Sequence, residues 1–365
     1  MRVGFDARWY NDSGVGSYIA GLLPALVRAG CETVVYVDLK KLLPELDRLS
    51  VKVVPIHTGK YSPFASSEFQ SRAAKDKLDL FHSPFYVMPK LKCPVVITVH
   101  DLIPFLFPIY PRLKQEVVKA GYRLAARRAA HIIADSRSTA ADMEKILGVS
   151  QERVTTVHLA AEPETFHPDA KEWELGRLQQ KFGITQPYVV AASARNWRTK
   201  NLKGALEALA KAQSNTDLPF QTVVYGSAEG FKVVNRDDEL MQKLNVRQVG
   251  QIATEDLAAL FRHAHAFIMP SLYEGFGLPL VEAMSCGCPV IASNRGSLPE
   301  VAAGGAQCFD PENISGMAAA LTEILRSPEE LKRRREEALK RSADFSWNKA
   351  ALETIAVYHR VFDRT

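Results

Sequence analysis

Short apolar, β-branched runs alternate with helical stretches along the entire chain, and this alternation limits the fold more than any other feature. The first half reads as strands at 3–5, 33–37, 51–55, 78–81, 95–99, 132–134 and 154–157; the second half reads as strands at 188–192, 221–225, 246–249, 266–269 and 289–292. Helical spacing appears between them. Ile19, Leu22, Leu23, Leu26 and Val27 mark a helix over 17–29 that Gly30 stops, and further helices are predicted at 202–213 and about 347–362. Strand and helix in strict alternation predict parallel sheets covered on both faces. A length of 365 residues is long for one core and comfortable for two. The break falls in 163–187, which holds Pro163, Pro168, Pro187 and a charged helix. The expected domains are 1–168 and 169–346, followed by the last helix, 347–365.

Composition narrows the class. A net charge of +5 is too small to argue nucleic-acid binding. The five cysteines, 31, 93, 286, 288 and 308, are odd in number and scattered, so no disulfide framework is expected and a reducing compartment, the cytoplasm, is. Cys286-Gly-Cys288 has no second pair and no nearby His, and reads as buried small residues instead of a metal site. Residues 1–6 carry no apolar core of a secretory leader, and no run of about 18 apolar residues predicts a membrane span.

Chemistry concentrates in Ser271-Leu-Tyr-Glu-Gly-Phe-Gly-Leu-Pro-Leu-Val-Glu282. Glu274 and Glu282 stand eight positions apart around Gly275, Phe276, Gly277 and Leu278. A glycine-rich turn that opens a helix offers free backbone N–H groups and a positive dipole end, which suits a diphosphate. A carboxylate on either side of that turn suits sugar and ribose hydroxyls. Taken singly, Glu274 would be a helix cap and Glu282 a solvated side chain; the whole string favours the ligand reading.

The string resembles the Glu-x7-Glu signature of retaining, nucleotide-sugar-dependent glycosyltransferases of family 4, which have the GT-B fold. Other family-like pieces follow in order: Gly14-Val-Gly16, Val99-His100-Asp101, Asp135-Ser-Arg-Ser138, Lys200-Asn-Leu202, Val249-Gly-Gln251, Cys288-Pro-Val-Ile-Ala-Ser-Asn294 and Gly296-Ser-Leu-Pro-Glu300. The resemblance implies two Rossmann-like domains facing an interdomain cleft, and a last helix that crosses back to the first domain. It also implies roles. Gly14 and Gly16 would line the acceptor-side wall against the donor phosphates, His100 would contact the donor sugar, and an Arg and Lys200 would offset diphosphate charge. Glu274 would engage the donor sugar and Glu282 the ribose.

The residues themselves carry part of this. Ligands of open α/β sheets bind beyond the carboxyl ends of the strands. Gly14 and Gly16, His100, Arg195 to Lys200, Gly226 and Glu274 all follow strands, and Val249 ends one. Gly14-Val-Gly16 is not the dinucleotide fingerprint, because Ile19 stands where its third glycine would be. His100 could hydrogen-bond a hydroxyl, with Asp101 orienting it. Arg195, Arg198 and Lys200 offer three cations after one strand; Arg195 is preferred over Arg198 as the partner of Lys200. The chain has no Asp-x-Asp metal clamp, so cations and backbone amides are expected to neutralise the diphosphate without a metal or cofactor.

One further stretch stands out. In 111–128, Arg112, Lys119, Arg123 and Arg127 share a helical face with Glu116, and Leu113, Val117, Ala120 and Leu124 share the next. A basic amphipathic helix suits an anionic membrane surface; a surface helix packed on its own domain is the alternative.

The expected activity is transfer of a hexosyl group, mannosyl favoured, from a GDP- or UDP-linked sugar to a hydroxyl of a glycan or lipid-linked acceptor. The rivals are a sugar-nucleotide epimerase of similar architecture and a non-catalytic nucleotide-sugar or carbohydrate-binding protein.

Overall fold

The computed structural model describes residues 1–364 apart from 11–12, 40–45, 47, 63, 194–196, 228–239 and 241–243, with backbone alone at 13 and 197. The chain divides into two compact units, Met1–Ala160 with Ser346–Thr365, and Ala161–Phe345.

The first unit carries β1 (Arg2–Asp6), α1 (Ser13–Arg28), β2 (Glu32–Asp38), β3 (Lys52–Ile56), α2 (Ala65–Asp76), β4 (Leu80–Ser83), β5 (Val95–Val99), α3 (Ile103–Leu106), α4 (Arg112–Arg128), β6 (His131–Ala134), α5 (Arg137–Leu147) and β7 (Val154–Thr156). Its seven-stranded sheet has the order β3-β2-β1-β4-β5-β6-β7, and every pairing is parallel. β4, β5 and β6 are buried at every position, as both faces of a covered parallel sheet require. Burying each of their Val, Ile and Leu side chains contributes about 1.5–3 kcal/mol.

The second unit carries α6 (Trp173–Phe182), β8 (Tyr188–Ser193), α7 (Trp197–Lys200), α8 (Leu202–Asn215), β9 (Gln221–Gly226), β10 (Asn245–Gly250), α9 (Thr254–His263), β11 (Ala266–Met269), α10 (Leu278–Ser285), β12 (Val290–Ser293), α11 (Leu298–Ala302), β13 (Gln307–Phe309), α12 (Ile314–Arg326) and α13 (Pro328–Ser342). Its six strands run β10-β9-β8-β11-β12-β13, again parallel throughout. The last helix, α14 (Trp347–Phe362), belongs to the first unit. It rests on α1 where Gly21 lets Trp347 approach; a Cβ there would lie 2.0 Å from the indole.

A polar chain fixes α14 to the first sheet. Tyr358 Oη meets His82 Nδ1 at 2.6 Å, His82 Nε2 meets Thr98 Oγ1 at 2.8 Å, and Thr98 Oγ1 meets Tyr18 Oη at 2.8 Å. All four side chains are buried, and burial pulls His82 down to about 3, so it is neutral.

Local chemistry explains where elements depart from the sequence expectation. Helix α1 begins at Ser13, so Gly14 and Gly16 sit in its first turn instead of a preceding loop. β4 begins at Leu80 instead of 78, because Lys77 is the left-handed cap of α2 and the Leu78 N–H still bonds to Ala73. β13 was not expected: three half-buried residues carry too short a signal.

Candidate active site

Each sheet has one point where the chain reverses its direction of strand addition, and such switch points hold ligands in open α/β sheets. In the second sheet the switch lies between β8 and β11. Lys200 ends the short helix after β8, and Glu274 lies in the loop after β11. The structure brings them together: Lys200 Nζ donates to Glu274 Oε1 at 2.6 Å, with both side chains largely shielded.

The Glu274 backbone is held as firmly as its side chain. Its carbonyl accepts from the Ser297 N–H at 3.2 Å and the Ser297 hydroxyl at 3.0 Å. Gly296 makes this possible. Its φ is +59°, and a Cβ would lie 2.7 Å from the Glu274 oxygen. Ser297 itself is fully buried. The sequence contained Gly296-Ser-Leu-Pro-Glu300 as a recognisable string, but nothing in it revealed this clamp.

The turn from Gly275 to Leu278 leads into α10. Gly277 is its N-cap at φ +89°, in contact range of Leu298. The Phe276 ring is buried edge-on against Phe345, with centroids 5.8 Å apart, so its side chain packs into the unit. Glu282 is the fifth residue of α10. It is half-buried by surface area yet enclosed by protein, and this desolvation raises its carboxyl to about 7. Tyr225, near the end of β9, is held far above the ordinary phenol range by burial first and then by the charges of Glu282 and Glu274. Both carboxylates therefore lie within electrostatic reach of one ring.

Gly226 closes β9 at φ +107°, and a Cβ would fall 1.9 Å from the Ser193 oxygen. Ser193 and Ser227 exchange bonds there: the Ser227 N–H donates at 3.1 Å and the Ser193 hydroxyl donates back at 2.7 Å. Val249 marks a register shift between Gln248 and Gly250 at the end of β10, a bulge of the kind that re-aims side chains beside sites. Arg198 is exposed on α7. Arg195 lies outside the described residues.

In the first sheet the switch falls between β1 and β4. Gly16 packs where a Cβ would lie 2.2 Å from the Tyr10 oxygen, whereas Gly14 faces open space. His100 follows β5, next to the switch. The orienting acid is Asp135, not Asp101 as expected. His100 Nδ1 lies 2.6 Å from Asp135 Oδ2, and Asp101 instead accepts the Ile103 N–H at 2.9 Å. The peptide geometry of the short Asp101–Ile103 turn keeps that carboxylate on its own backbone. His100 Nε2 lies 2.8 Å from the Pro84 carbonyl, which can only accept. Both ring nitrogens therefore donate, which describes an imidazolium. Burial lowers the His100 pKa, and Asp135, Pro84 and the more distant Asp101 together outweigh it, so the group titrates above the ordinary histidine value. Asp135 Oδ1 is buried without a hydrogen-bond partner among the described residues.

Among the described residues no group of three or more His, Cys, Asp or Glu is arranged to hold a metal ion, and no helix is long and apolar enough to cross a membrane. All five cysteines are free, with Cys286 and Cys288 buried.

The chain matches known protein families in both units. Residues 177–341 match Glycosyl transferases group 1, and residues 13–165 match Glycosyltransferase Family 4. The chain belongs to glycosyltransferase family 4. This is the GT-B class of hexosyltransferases. The O-antigen chain mannosyltransferase B of Escherichia coli is 28% identical over 79% of this family 4 chain and 76% of its own length. The MMP alpha-(1->4)-mannosyltransferase of Mycolicibacterium hassiacum is 30% identical over 66% of this chain and 56% of its own length. The Anabaena HepE structure in complex with UDP and glucose superposes with a TM-score of 0.77 at 16% identity, covering 98% of this chain and 99% of that one. At that identity the likeness speaks for the fold.

Proposed function

We propose that the protein transfers a mannosyl group, with retention, from a GDP-linked donor to a hydroxyl of a glycan or lipid-linked acceptor. The observation that carries this reading is the Lys200–Glu274 pair at the switch point beside a helix-opening glycine turn. The mannosyltransferase names of the sequence relatives support the sugar. A UDP-linked glucosyl donor is the second reading, favoured by what HepE holds.

In this reading the diphosphate takes Lys200, with Arg195 as second cation, and the N-terminus of α10 adds its dipole. Lys200 then leaves Glu274, whose carboxylate accepts from donor-sugar hydroxyls. Glu282 accepts from the ribose, and Val249 borders the base. Gly226 and the backbone of Gly275 to Leu278 line the same phosphate face. Gly14 is assigned to the acceptor side, with Gly16 shaping its turn. His100 contributes through Nε2, when a donor hydroxyl replaces the Pro84 oxygen.

The reaction breaks the bond from C1 to the diphosphate oxygen and forms one from C1 to the acceptor oxygen on the same face. The acceptor proton passes to the departing phosphate, so no protein nucleophile is needed. Charge on the leaving group is offset by cations and amides in place of a metal. The exposed α4 supports a peripheral place at the inner face of a membrane, where a lipid-linked acceptor would reside.

The experiment is a calorimetric screen of GDP- and UDP-sugars, followed by turnover with and without acceptor in excess EDTA. Acceptor-dependent release of GDP from GDP-mannose, with an α-linked product by NMR, is expected. Release without acceptor points to hydrolysis, conversion to another nucleotide sugar without release points to epimerisation, and neither with any donor points to a binding protein.

A further inference from the structure

A second cationic site lies on the first unit, remote from the carboxyl ends of its strands. Helices α4 and α5 end at Arg128 and Leu147, just ahead of β6 and β7. In a parallel sheet those ends gather at the amino edge of the strands, opposite the edge where Gly14 and His100 lie. A cavity of about 310 Å³ opens there, lined by Arg123, Arg127 and Arg153 beside Ile146, Leu147 and Val149.

Arg153 is fixed in place. Its Nη2 donates to the Ala126 carbonyl at 2.9 Å and the Ala129 carbonyl at 2.7 Å, satisfying the last turn of α4. Arg123 lies over the Phe105 ring, 5.3 Å from its centroid. Among the described residues none of the three arginines pairs with a carboxylate. The two helix C-termini offset part of the charge, at about half a unit each. Three guanidiniums less that amount leave roughly two positive charges in a concave site, where low-dielectric walls concentrate the field. Guanidiniums present forked donors that match phosphate oxygens.

We propose that Arg123, Arg127 and Arg153 form a binding site for a phosphate group, separate from the donor site and independent of its assignment. The group is either an anionic lipid headgroup or a soluble phosphate ester. The lipid source would deepen the membrane reading of α4; the soluble source would make the cavity a regulatory site.

The test uses the full chain, with Arg123→Gln/Arg127→Gln as the site variant and Arg128→Gln/Lys145→Gln as an equal-charge control outside the cavity. Arg153 stays, because it caps α4. Calorimetry with inorganic phosphate and glycerol phosphate should show binding by wild type and control, and a loss of at least about tenfold in the site variant, as expected for losing charged hydrogen bonds. Absence of phosphate binding by wild type, or equal affinity in all three proteins, overturns the site. Co-sedimentation with phosphatidylglycerol vesicles then separates the sources. Pelleting of wild type and control that excess glycerol phosphate reduces, with no such competition in the site variant, assigns a lipid headgroup; pelleting that glycerol phosphate leaves unchanged in all three proteins assigns a soluble ester. Turnover with a soluble acceptor should match in all three proteins, which keeps failure here distinct from failure of the donor-site reading.

Discussion

Lys200 and Glu274 lie 74 positions apart and leave different strands, yet their side chains meet at 2.6 Å across the switch of the second sheet. Each partner holds the other's charge while the diphosphate is absent. Lys200→Ala should weaken nucleoside diphosphate binding by about 1.5–3 kcal/mol, roughly 10- to 150-fold. Glu274→Gln should behave oppositely toward the diphosphate: it frees Lys200, so affinity holds or rises while transfer falls by orders of magnitude. Calorimetry with GDP beside a transfer assay separates the two. Equal loss of diphosphate affinity in both variants would sink the exchange of Lys200 between Glu274 and phosphate.

The backbone of Glu274 invites a second test. Ser297→Ala removes the hydroxyl bond to the Glu274 carbonyl and leaves the N–H bond, so stability should drop by about 0.5–1.5 kcal/mol. Gly296→Ala is harsher, because φ is +59° and the new Cβ meets the Glu274 oxygen at 2.7 Å. Turnover should fall in the order wild type, Ser297→Ala, Gly296→Ala, with donor KM moving less than kcat, since neither residue is proposed to touch the donor. A KM change larger than the kcat change in either variant would assign the loop to donor binding instead.

Strand and helix alternation made both parallel sheets legible, because a buried β-branched run such as 95–99 admits few other folds. The Glu274 to Glu282 string was legible for a similar reason: a glycine turn, a helix start and two acids fall in one local window. What the sequence hid is long-range. Asp135 reaches His100 from another strand, 35 positions away, and displaced the adjacent Asp101 as its partner. Ser297 acts on Glu274 through a carbonyl, which leaves no side-chain pattern. The start of α1 was misplaced because Gly14 and Gly16 read as loop residues, whereas Gly16 is required for the pass beside Tyr10. β13 was missed because half-buried Gln307, Cys308 and Phe309 are too few to show a period.

Glu282 predicts a pH dependence. Its carboxyl is raised from 4.5 to about 7 by desolvation. Between those values the folded chain keeps a proton that the unfolded chain has lost, so stability falls as pH rises through the window. The cost at pH 8 is roughly 1–3 kcal/mol. Glu282→Gln removes the group that titrates. Thermal melts at pH 5 and pH 8 should therefore show the variant gaining on wild type as pH rises. A difference in Tm between the two proteins that stays constant from pH 5 to pH 8 would show that Glu282 ionises in the folded chain as an ordinary solvated carboxyl does.

Helix α4 turns its apolar stripe outward. Gln115, Tyr122, Ala125 and Ala126 face the unit, while Leu113 is 81%, Val117 64% and Leu124 48% exposed. The helix thus docks through one face and leaves a second apolar face to solvent, beside Arg112, Lys119, Arg123 and Arg127. Two replacements separate the contributions. Leu113→Ser with Val117→Ser and Leu124→Ser removes apolar insertion, which for a leucine-sized side chain contributes about 1.5–3 kcal/mol when fully buried. Changing the four cations to Gln removes attraction of about 1 kcal/mol each near an anionic surface. The serine variant should keep weak, salt-sensitive binding to phosphatidylglycerol vesicles, because its charges remain. The glutamine variant should keep weak binding that salt hardly alters, because screening acts on charge alone. Neither should unfold the protein, since the replaced side chains are outside the core, and both should transfer to a soluble acceptor as wild type does. Pelleting by wild type that neither variant reduces would take the membrane role away from α4 and leave its exposed leucines without one.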